Sequence, residues 1–411
     1  MSTGEWKRAP LGEVADLCLG KMLDQNKNRG ELFPYLANVN VRWGEFALAE
    51  LRTMRFEPKE MDRYGLRFGD IVMCEGGEPG RCAIWKNQVP GMMIQKALHR
   101  IRSKDNLDYR FLFYSLLNIG HTKRFDQYFT GATIKHLPGE KLAKVEVEIP
   151  PLPIQQRIAA ILSAYDELIE NSQRRIRILE SMARALYREW FVKFRFPGHE
   201  NHRMVDSALG KIPEGWDTKT VGDSFEISGG GTPSRKEPGY WENGNIRWFA
   251  PSDLTGAGTM FMDDSSDHIN ELGLAKSSAR MFPAYSVMLT SRATIGATSI
   301  NTREACTNQG FITCIPNDDV PLYFLFHWVT ENVPTFQRLA SGATFKEISR
   351  GVFKTIKLIR PPETLVRRFE GAVAPMAEQA LALQRKVQNL RRTRDLLLPR
   401  LLSGQIHVGG E

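Results

Sequence analysis

Polar and basic residues that could contact a nucleic acid gather in a few short stretches of this sequence, in both halves of the chain. Arginine and lysine can donate hydrogen bonds to guanine, asparagine and glutamine can pair with adenine, and serine, threonine and lysine can hold phosphates. The candidates in the first half are Lys21, Gln25, Lys27, Asn28, Asn38, Asn40, Arg42, Trp43 and Lys135. Those in the second half are Thr232, Ser234, Arg235, Lys236, Arg247, Trp248, Ser252, Arg292 and Lys346. The alternative for each stretch is a solvated turn without a ligand.

Residue patterns typical of catalysis are absent from the sequence. There is no G-x-x-x-x-G-K-[ST] phosphate loop, no H-E-x-x-H zinc motif and no G-x-S-x-G nucleophile motif. The five cysteines never occur as C-x-x-C, which argues against a zinc site. We therefore predict no catalytic residue, no metal site and no cofactor on this chain.

The sequence repeats itself across a long interval. Gly131-Ala132-Thr133-Ile134-Lys135 returns 211 residues later as Gly342-Ala343-Thr344-Phe345-Lys346. Pro150-Pro151 returns at the same shift as Pro361-Pro362, and the two halves open on Trp6 and Trp216. This interval is far longer than the roughly 20–50 residues of a solenoid unit. The repeat therefore predicts a duplicated domain followed by a duplicated helix.

Charge favours a polyanionic partner only weakly. The net charge is +8 and the isoelectric point is about 9.2. Residues 201–362 carry 16 Lys and Arg against 17 Asp and Glu, a net charge of −1. If the second half contacts nucleic acid, it must therefore do so through a local patch. No apolar run is long enough for a membrane span, and the N-terminus does not resemble a signal peptide.

We divide the chain into four segments: 1–150, 151–200, 201–362 and 363–411. The first and third are turn-rich and hold strand-like runs, such as the one ending at Ile149 and its counterpart from Phe353 to Ile359. The second and fourth carry apolar residues three and four apart, with Ser172 and Arg394 as polar interruptions. That spacing predicts two long helices that pair antiparallel and act as a ruler between the globular parts. The alternative is that each helix packs only into the core of its own domain.

Several motifs resemble those of one known family. They are Ser341-Gly342-Ala343-Thr344, the helix entry from Pro150 to Ile158, Gly230-Gly231-Thr232-Pro233, and the C-terminal run from Leu398 to Ile406. Together with the order domain, helix, domain, helix, they resemble the specificity subunit of type I restriction-modification systems. The second helix departs from the family's entry pattern, because Glu363-Thr364-Leu365-Val366 replaces the usual proline and glutamine.

The resemblance implies an α+β fold: two tandem mixed α/β target recognition domains separated by two long helices in an antiparallel coiled coil, with pseudo-two-fold symmetry. Each domain would read one half of a bipartite site in double-stranded DNA. The chain would choose the sequence and leave catalysis to its partners. The rival functions are an assembly scaffold that reads no bases and a stand-alone DNA-binding regulator.

The partners that the resemblance implies are two modification subunits, which bind S-adenosylmethionine and methylate adenine. Two restriction subunits, which use ATP and Mg²⁺, could join them. A cytoplasmic, prokaryotic location without membrane contact follows. The candidate partner-binding residues are Ile154, Gln155, Arg157, Trp190, Phe191, Arg368, Leu398 and Leu401.

Overall fold

The computed structural model describes residues 6–24 and 28–408. The chain forms two compact units, one made of Met1–Asn171 with Val387–Glu411 and the other of Ser172–Lys386. Each unit contains one half of each long helix. The four segments drawn from the sequence are a different division, and their boundaries stay predictions.

The first unit contains a four-stranded sheet, a three-stranded sheet and a strand pair. Its sheets have the orders β2-β8-β5-β6, β4-β3-β7 and β1-β9. The strands are β1 (Lys7–Pro10), β2 (Ala15–Leu19), β3 (Glu31–Leu36), β4 (Arg52–Phe56), β5 (Ile71–Cys74), β6 (Cys82–Ile84), β7 (Met93–Ile94), β8 (Leu98–Ser103) and β9 (Glu146–Ile149). The helices that begin in this unit are α1 (Leu11–Val14), α2 (Met61–Tyr64), α3 (Tyr109–His121), α4 (Gly139–Leu142) and α5 (Leu152–Tyr187).

The second unit repeats this plan with additions. Its sheets have the orders β13-β20-β17-β18-β15, β16-β14-β19, β12-β21 and β10-β11. The strands are β10 (Met204–Ser207), β11 (Gly210–Pro213), β12 (Asp217–Thr220), β13 (Glu226–Gly229), β14 (Ile246–Phe249), β15 (Phe261–Met262), β16 (Asp267–Ile269), β17 (Val287–Thr290), β18 (Thr298–Asn301), β19 (Ala305–Thr307), β20 (Phe311–Ile315) and β21 (Lys357–Arg360). The helices are α6 (Val221–Ser224), α7 (Pro251–Ala257), α8 (Glu271–Ala275), α9 (Leu322–Glu331), α10 (Val333–Leu339), α11 (Arg350–Thr355) and α12 (Glu363–Leu402).

Matching strand pairs join the start and end of each globular part. Lys7 lies opposite Ile149 in β1 and β9, and Asp217 lies opposite Arg360 in β12 and β21. The duplication read from the sequence is therefore a duplication of topology. The strand predicted from Phe353 was placed too early: Phe353 lies in α11 and is fully buried, and the strand itself is Lys357–Arg360.

The two long helices pack against each other antiparallel within each unit. In the first unit, Ile158 and Leu162 near the start of α5 belong to the same apolar cluster as Leu398 and Leu401 near the end of α12. In the second unit, the end of α5 meets the start of α12 in a cluster that includes Tyr187, Trp190, Phe369 and Val373. The predicted pair of long helices is thus confirmed. No helix among residues 6–24 and 28–408 is long and apolar enough to cross a membrane.

Candidate nucleic-acid interface

One strand in the three-stranded sheet of each unit ends in the same capped turn. After β3, the backbone N–H of Ala37 donates to Oδ1 of Asn40 at 3.0 Å. After β14, the N–H of Ala250 donates to Oδ2 of Asp253 at 2.8 Å. A side chain that accepts from the residue before a helical turn fixes the direction in which that turn leaves the strand. Asn38, the first residue after Ala37, and Ser252, the second residue after Ala250, therefore lie in equivalent turns.

The turns after β5 and β17 are a second matched feature. Both pass through a positive φ, +82° at Gly77 and +60° at Ala293. The carbonyl of Glu75 accepts from Leu137 N at 2.8 Å, and the carbonyl of Ser291 accepts from Ile348 N at 3.0 Å. These bonds attach each turn to the Gly-Ala-Thr loop of its own unit, defined here as residues 130–136 and 341–347.

Both Gly-Ala-Thr loops are closed at their base by paired backbone hydrogen bonds. Thr130 and His136 exchange two bonds of 2.9 Å, and Ser341 and Glu347 exchange bonds of 3.0 and 2.8 Å. The glycine that follows the first base residue has φ +90° at Gly131 and +126° at Gly342. At each of these glycines an added Cβ would lie about 2.2–2.3 Å from a backbone oxygen of its own loop. Glycine is therefore required at both positions.

In the first unit, side chains connect the capped turn to the turn after β5. Trp43 Nε1 donates to Glu78 Oε1 at 3.0 Å. Arg81 donates to Glu78 at 2.6 Å and to the carbonyl of Asn38 at 2.9 Å. Arg42 stays exposed while its guanidinium donates to the carbonyls of Val39 and Val41. Asn38, Arg42 and Trp43 thus share one surface with the Gly-Ala-Thr loop.

In the second unit, an arginine packs against two tryptophans that contact each other edge to face, with ring centres 5.1 Å apart. The Arg235 guanidinium is 3.6 Å from the ring centre of Trp241 and 5.1 Å from that of Trp248, and it pairs with Asp267 at 2.5 Å. Trp248 Nε1 donates to the carbonyl of Gly231 at 2.9 Å. The loop that carries Thr232 to Lys236 is therefore held against β14 with Arg235 oriented by stacking.

The predicted DNA-contacting residues differ in exposure. Those that are exposed are Arg42, Lys135, Thr232, Ser234, Arg235, Lys236, Ser252, Arg292 and Lys346. Those that are partly exposed are Asn28, Asn38, Trp43 and Arg247. Gln25 and Lys27 lie outside the described residues.

Three of the predicted residues are buried and already have polar partners. The Lys21 ammonium donates to Glu60 at 2.6 Å and to the carbonyl of Arg55 at 2.9 Å. Asn40 caps its turn and also donates to the carbonyl of Ala47, while Trp248 donates to Gly231. Because their polar atoms are buried and already paired within the unit, these residues are left out of the proposed contact surface.

Most of the predicted partner-binding residues belong to the cores of the units. Gln155, Trp190, Phe191, Leu398 and Leu401 are buried. Ile154 is partly exposed, and Arg157 and Arg368, which are 211 residues apart, are exposed. Apolar spacing alone does not distinguish a helix face that packs inside the domain from one left for a partner.

Large apolar residues are exposed elsewhere on the long helices. Ile161 and Leu168 belong to the half of α5 in the first unit, and Ile178 and Met182 to the half in the second. They are not among the predicted partner-binding residues, because the buried face of each helix carries the stronger periodic signal. Within the part of the chain that the structure describes, no group of three or more His, Cys, Asp and Glu is arranged to hold a metal ion.

The two units have the same topology and the same three surface turns, and they share one pair of antiparallel helices. These features define a duplicated protein with two matched surfaces suited to the recognition of nucleic-acid sequence. The family model for the type I restriction modification DNA specificity domain matches residues 3–181 and 213–364. The chain belongs to this family, and its role is DNA sequence specificity.

Individual relatives agree with this assignment. The chain is 26% identical over 348 residues to the type I restriction enzyme MjaIX specificity subunit of Methanocaldococcus jannaschii, covering 83% of this chain and 78% of the relative. It is 23% identical to the HindI specificity subunit of Haemophilus influenzae, covering 98% of this chain and all of the relative. A crystal structure of the S subunit from M. genitalium has the same fold, with a TM-score of 0.60, 17% identity and coverage of 98% and 97%.

Proposed function

We propose that each unit reads one half of a bipartite DNA site. The observation that supports this proposal is the repeated surface: the capped turn, the turn after the central strand and the Gly-Ala-Thr loop recur in both units with matching hydrogen bonds. Each surface offers different side chains on the same framework: Asn38 and Val39 in one unit lie where Pro251 and Ser252 lie in the other. Two frameworks with different side chains suit two different half-sites.

The long helices set the spacing of the half-sites in this proposal, and they bind two modification subunits. The exposed pair Arg157 and Arg368, and the exposed apolar residues of α5, are the candidate contacts. S-adenosylmethionine would be bound by the modification subunits, and ATP and Mg²⁺ by restriction subunits that join the complex. This chain carries no catalytic step, and its place is with the DNA in the cytoplasm of a prokaryotic cell.

A selection from random duplex DNA tests the proposal. The full chain is used with its modification subunits and S-adenosylmethionine, because the partners can share the phosphate contacts. We expect a split motif with a fixed gap of unspecified bases. No enrichment from an intact complex would favour the scaffold, and a site selected equally well by the chain alone would favour the stand-alone regulator.

Paired substitutions test the assignment of one half-site to each unit. We expect Arg42→Ala to relax one half of the selected motif and Arg235→Ala the other, by about 1–3 kcal/mol if the side chain contacts a base. Arg67→Ala and Arg303→Ala are matched controls. Both residues are exposed and lie near the start of the central strands β5 and β17, at the ends away from the turns that follow these strands. Relaxation of the same half-site by both test variants would contradict the assignment.

Shortening the helices tests the spacing. Seven residues would be removed from each of α5 and α12 where the boundary between the units falls. Seven helical residues span about 10 Å, so the gap in the selected motif should shrink by about three base pairs. An unchanged gap in an assembled complex would show that the helices do not set it.

A further inference from the structure

Each Gly-Ala-Thr loop presents a large apolar side chain to solvent at its tip. Ile134 is 65% exposed and Phe345 is 58% exposed. Single exposed apolar residues are ordinary on protein surfaces. These two, however, occupy the same position of a loop that is built twice, and in both cases a lysine follows directly, Lys135 or Lys346. The repetition indicates a shared use.

The backbone holds both tips in a fixed shape. Paired hydrogen bonds close each loop at its base, and the required glycine turns the chain directly behind the tip. A second attachment joins each loop to the turn after β5 or β17, through the carbonyls of Glu75 and Ser291. A preformed tip loses little conformational entropy when it binds. Most of the free energy gained by burying its apolar side chain can therefore contribute to the affinity.

The position of the loops favours DNA over another protein as their ligand. The first loop is attached to the turn that also contacts Asn38 and Trp43. In the second unit, Ala293 of the corresponding turn donates its N–H to the carbonyl of Lys346 at 3.0 Å. An apolar side chain next to an exposed lysine matches a DNA edge, where a stacked base lies beside a charged phosphate.

We infer that Ile134 and Phe345 are DNA wedges, one in each half-site, that pack against or between bases while Lys135 and Lys346 contact neighbouring phosphates. This inference rests on the proposed function and assigns a mechanical role to the same surface. Partial unstacking of a base step costs free energy, and burying an apolar or aromatic side chain against the bases offsets that cost. Sequences that unstack easily at the wedge position would then be preferred without any hydrogen bond to a base.

Fluorescence of 2-aminopurine tests the inference. The base analogue is placed at successive positions of the selected site, and its emission is measured on binding of the complete complex with the modification subunits. We expect increased emission in each half-site at one position other than the adenine that the modification subunit would flip out of the stack for methylation. Phe345→Ala should remove the increase in one half only and Ile134→Ala in the other, each with an affinity loss of about 5- to 100-fold. Phe345→Trp should keep the increase, because tryptophan can also stack.

The controls separate a wedge from other roles. Phe68→Ala and Tyr285→Ala remove exposed aromatic residues that precede strands β5 and β17, at the ends opposite the loops, and should leave emission and affinity unchanged. Lys346→Ala should lower the salt dependence of binding by about one phosphate contact. Assembly with the modification subunits, followed by size-exclusion chromatography, should be normal for every variant.

Two results would overturn the inference while leaving the proposed function intact. Unchanged emission and affinity in Phe345→Ala and Ile134→Ala would show that the tips do not touch bases. Lost assembly with the modification subunits by a variant chain that remains folded would show that the tips dock on the modification subunit. If the unsubstituted complex selected no site at all, the proposed function would fail first.

Discussion

The interface between the two long helices, called the seam below, is built differently in the two units. In the first unit it contains a polar network: Tyr114 donates from its hydroxyl to Asp166 at 2.5 Å, and Arg394 donates to the other oxygen of Asp166 at 2.5 Å. Arg394 was predicted from the sequence as a polar interruption of the apolar seam. The structure supplies its partner Asp166, which lies 228 residues away along the chain, and Arg394 also pairs with the neighbouring Asp395.

The second unit has no such network at the matching positions. The Phe-Leu-Phe run that precedes Tyr114 in α3 recurs in α9 before His327, so His327 takes the place of Tyr114. At a shift of 211 residues, Ala377 takes the place of Asp166 and Ala183 takes the place of Arg394. His327 is 2% exposed, and neither ring nitrogen has a hydrogen-bond partner among the groups that the structure describes. Its ring packs 5.6 Å from that of Tyr187 and also lines a cavity of about 560 Å³.

The contrast shows which seam positions the duplicated fold must keep. Both units retain apolar residues where the helices cross, whereas the polar positions differ completely. A buried ion network contributes little net stability, because desolvation of the charges offsets their attraction. Small apolar residues can therefore replace such a network without loss of the fold. Where the network is present, at one point of a helix pair, it can fix the register of the two helices.

The largest expected effect comes from breaking the network in the first unit. Asp166→Ala leaves the partly buried Arg394 guanidinium and the Tyr114 hydroxyl without their shared acceptor, and should lower the free energy of unfolding by about 3–5 kcal/mol. Urea unfolding of the full chain measures this change. The triple variant Asp166→Ala, Arg394→Met, Tyr114→Phe should recover most of the loss. A triple variant as unstable as Asp166→Ala would show that the network is required and that the comparison with the second unit is misleading.

The second effect depends on pH and concerns His327. Burial, with a contribution from Arg184, lowers the pKa of His327 to about 4 from an ordinary value of 6.5. Between these values the unfolded chain binds a proton and the folded chain does not, so the imidazole should make the protein less stable as pH falls from about 6.5 towards 4, by up to about 3 kcal/mol. Above pH 6.5 it should add no pH dependence.

Comparison with His327→Phe isolates this effect. Burial raises the pKa of Glu370 to about 7 and also raises that of Glu180. These carboxyls stabilise the folded state as pH falls, opposite in sign to His327, but they cancel when the variant is subtracted from the unsubstituted chain. The stability difference should widen below pH 6.5 in favour of the variant. Parallel pH curves would show that folding does not lower the pKa of His327.

A smaller effect is expected at the helix entry. Gln155 is 1% exposed, accepts from Asp108 N at 2.9 Å and donates to the carbonyl of Pro150 at 2.9 Å. Val366 occupies the matching position in the second unit. Gln155→Val should lower stability by about 1–3 kcal/mol, because it leaves these buried groups unpaired.

Binding of the modification subunits tests the predicted partner role of Gln155 at the same time. Arg157→Ala, two positions along and exposed, is the matched variant. We expect Arg157→Ala to weaken binding and Gln155→Val to change it little at temperatures where the variant is folded. Weakened binding in Gln155→Val with unchanged stability would restore Gln155 as a partner contact.

Much of the fold could be predicted because local signals agreed with the repeat. The glycines at 131 and 342, the proline pairs and the apolar spacing of the helices each specify a backbone shape by themselves. The candidate site was predicted less completely. Lys21 and Asn40 have residue types suited to DNA, yet Lys21 is paired inside the unit and Asn40 caps a turn. The exposed tips Ile134 and Phe345 were overlooked because apolar residues are ordinarily assigned to a core.

The sequence by itself determined the duplication, the class of the fold, the two long helices and the family. These features depend on backbone geometry and on the spacing of apolar residues. Both are set by residues close together in the sequence, so they can be read without the fold. Only the tertiary structure decided which polar side chains are free to contact a ligand and which are already paired within the protein. Whether Arg81 reaches Asn38, Arg235 pairs with Asp267, or Arg394 pairs with Asp166 depends on residues far apart in the chain. Burial and pairing are properties of the packed protein, and residue type alone does not fix them.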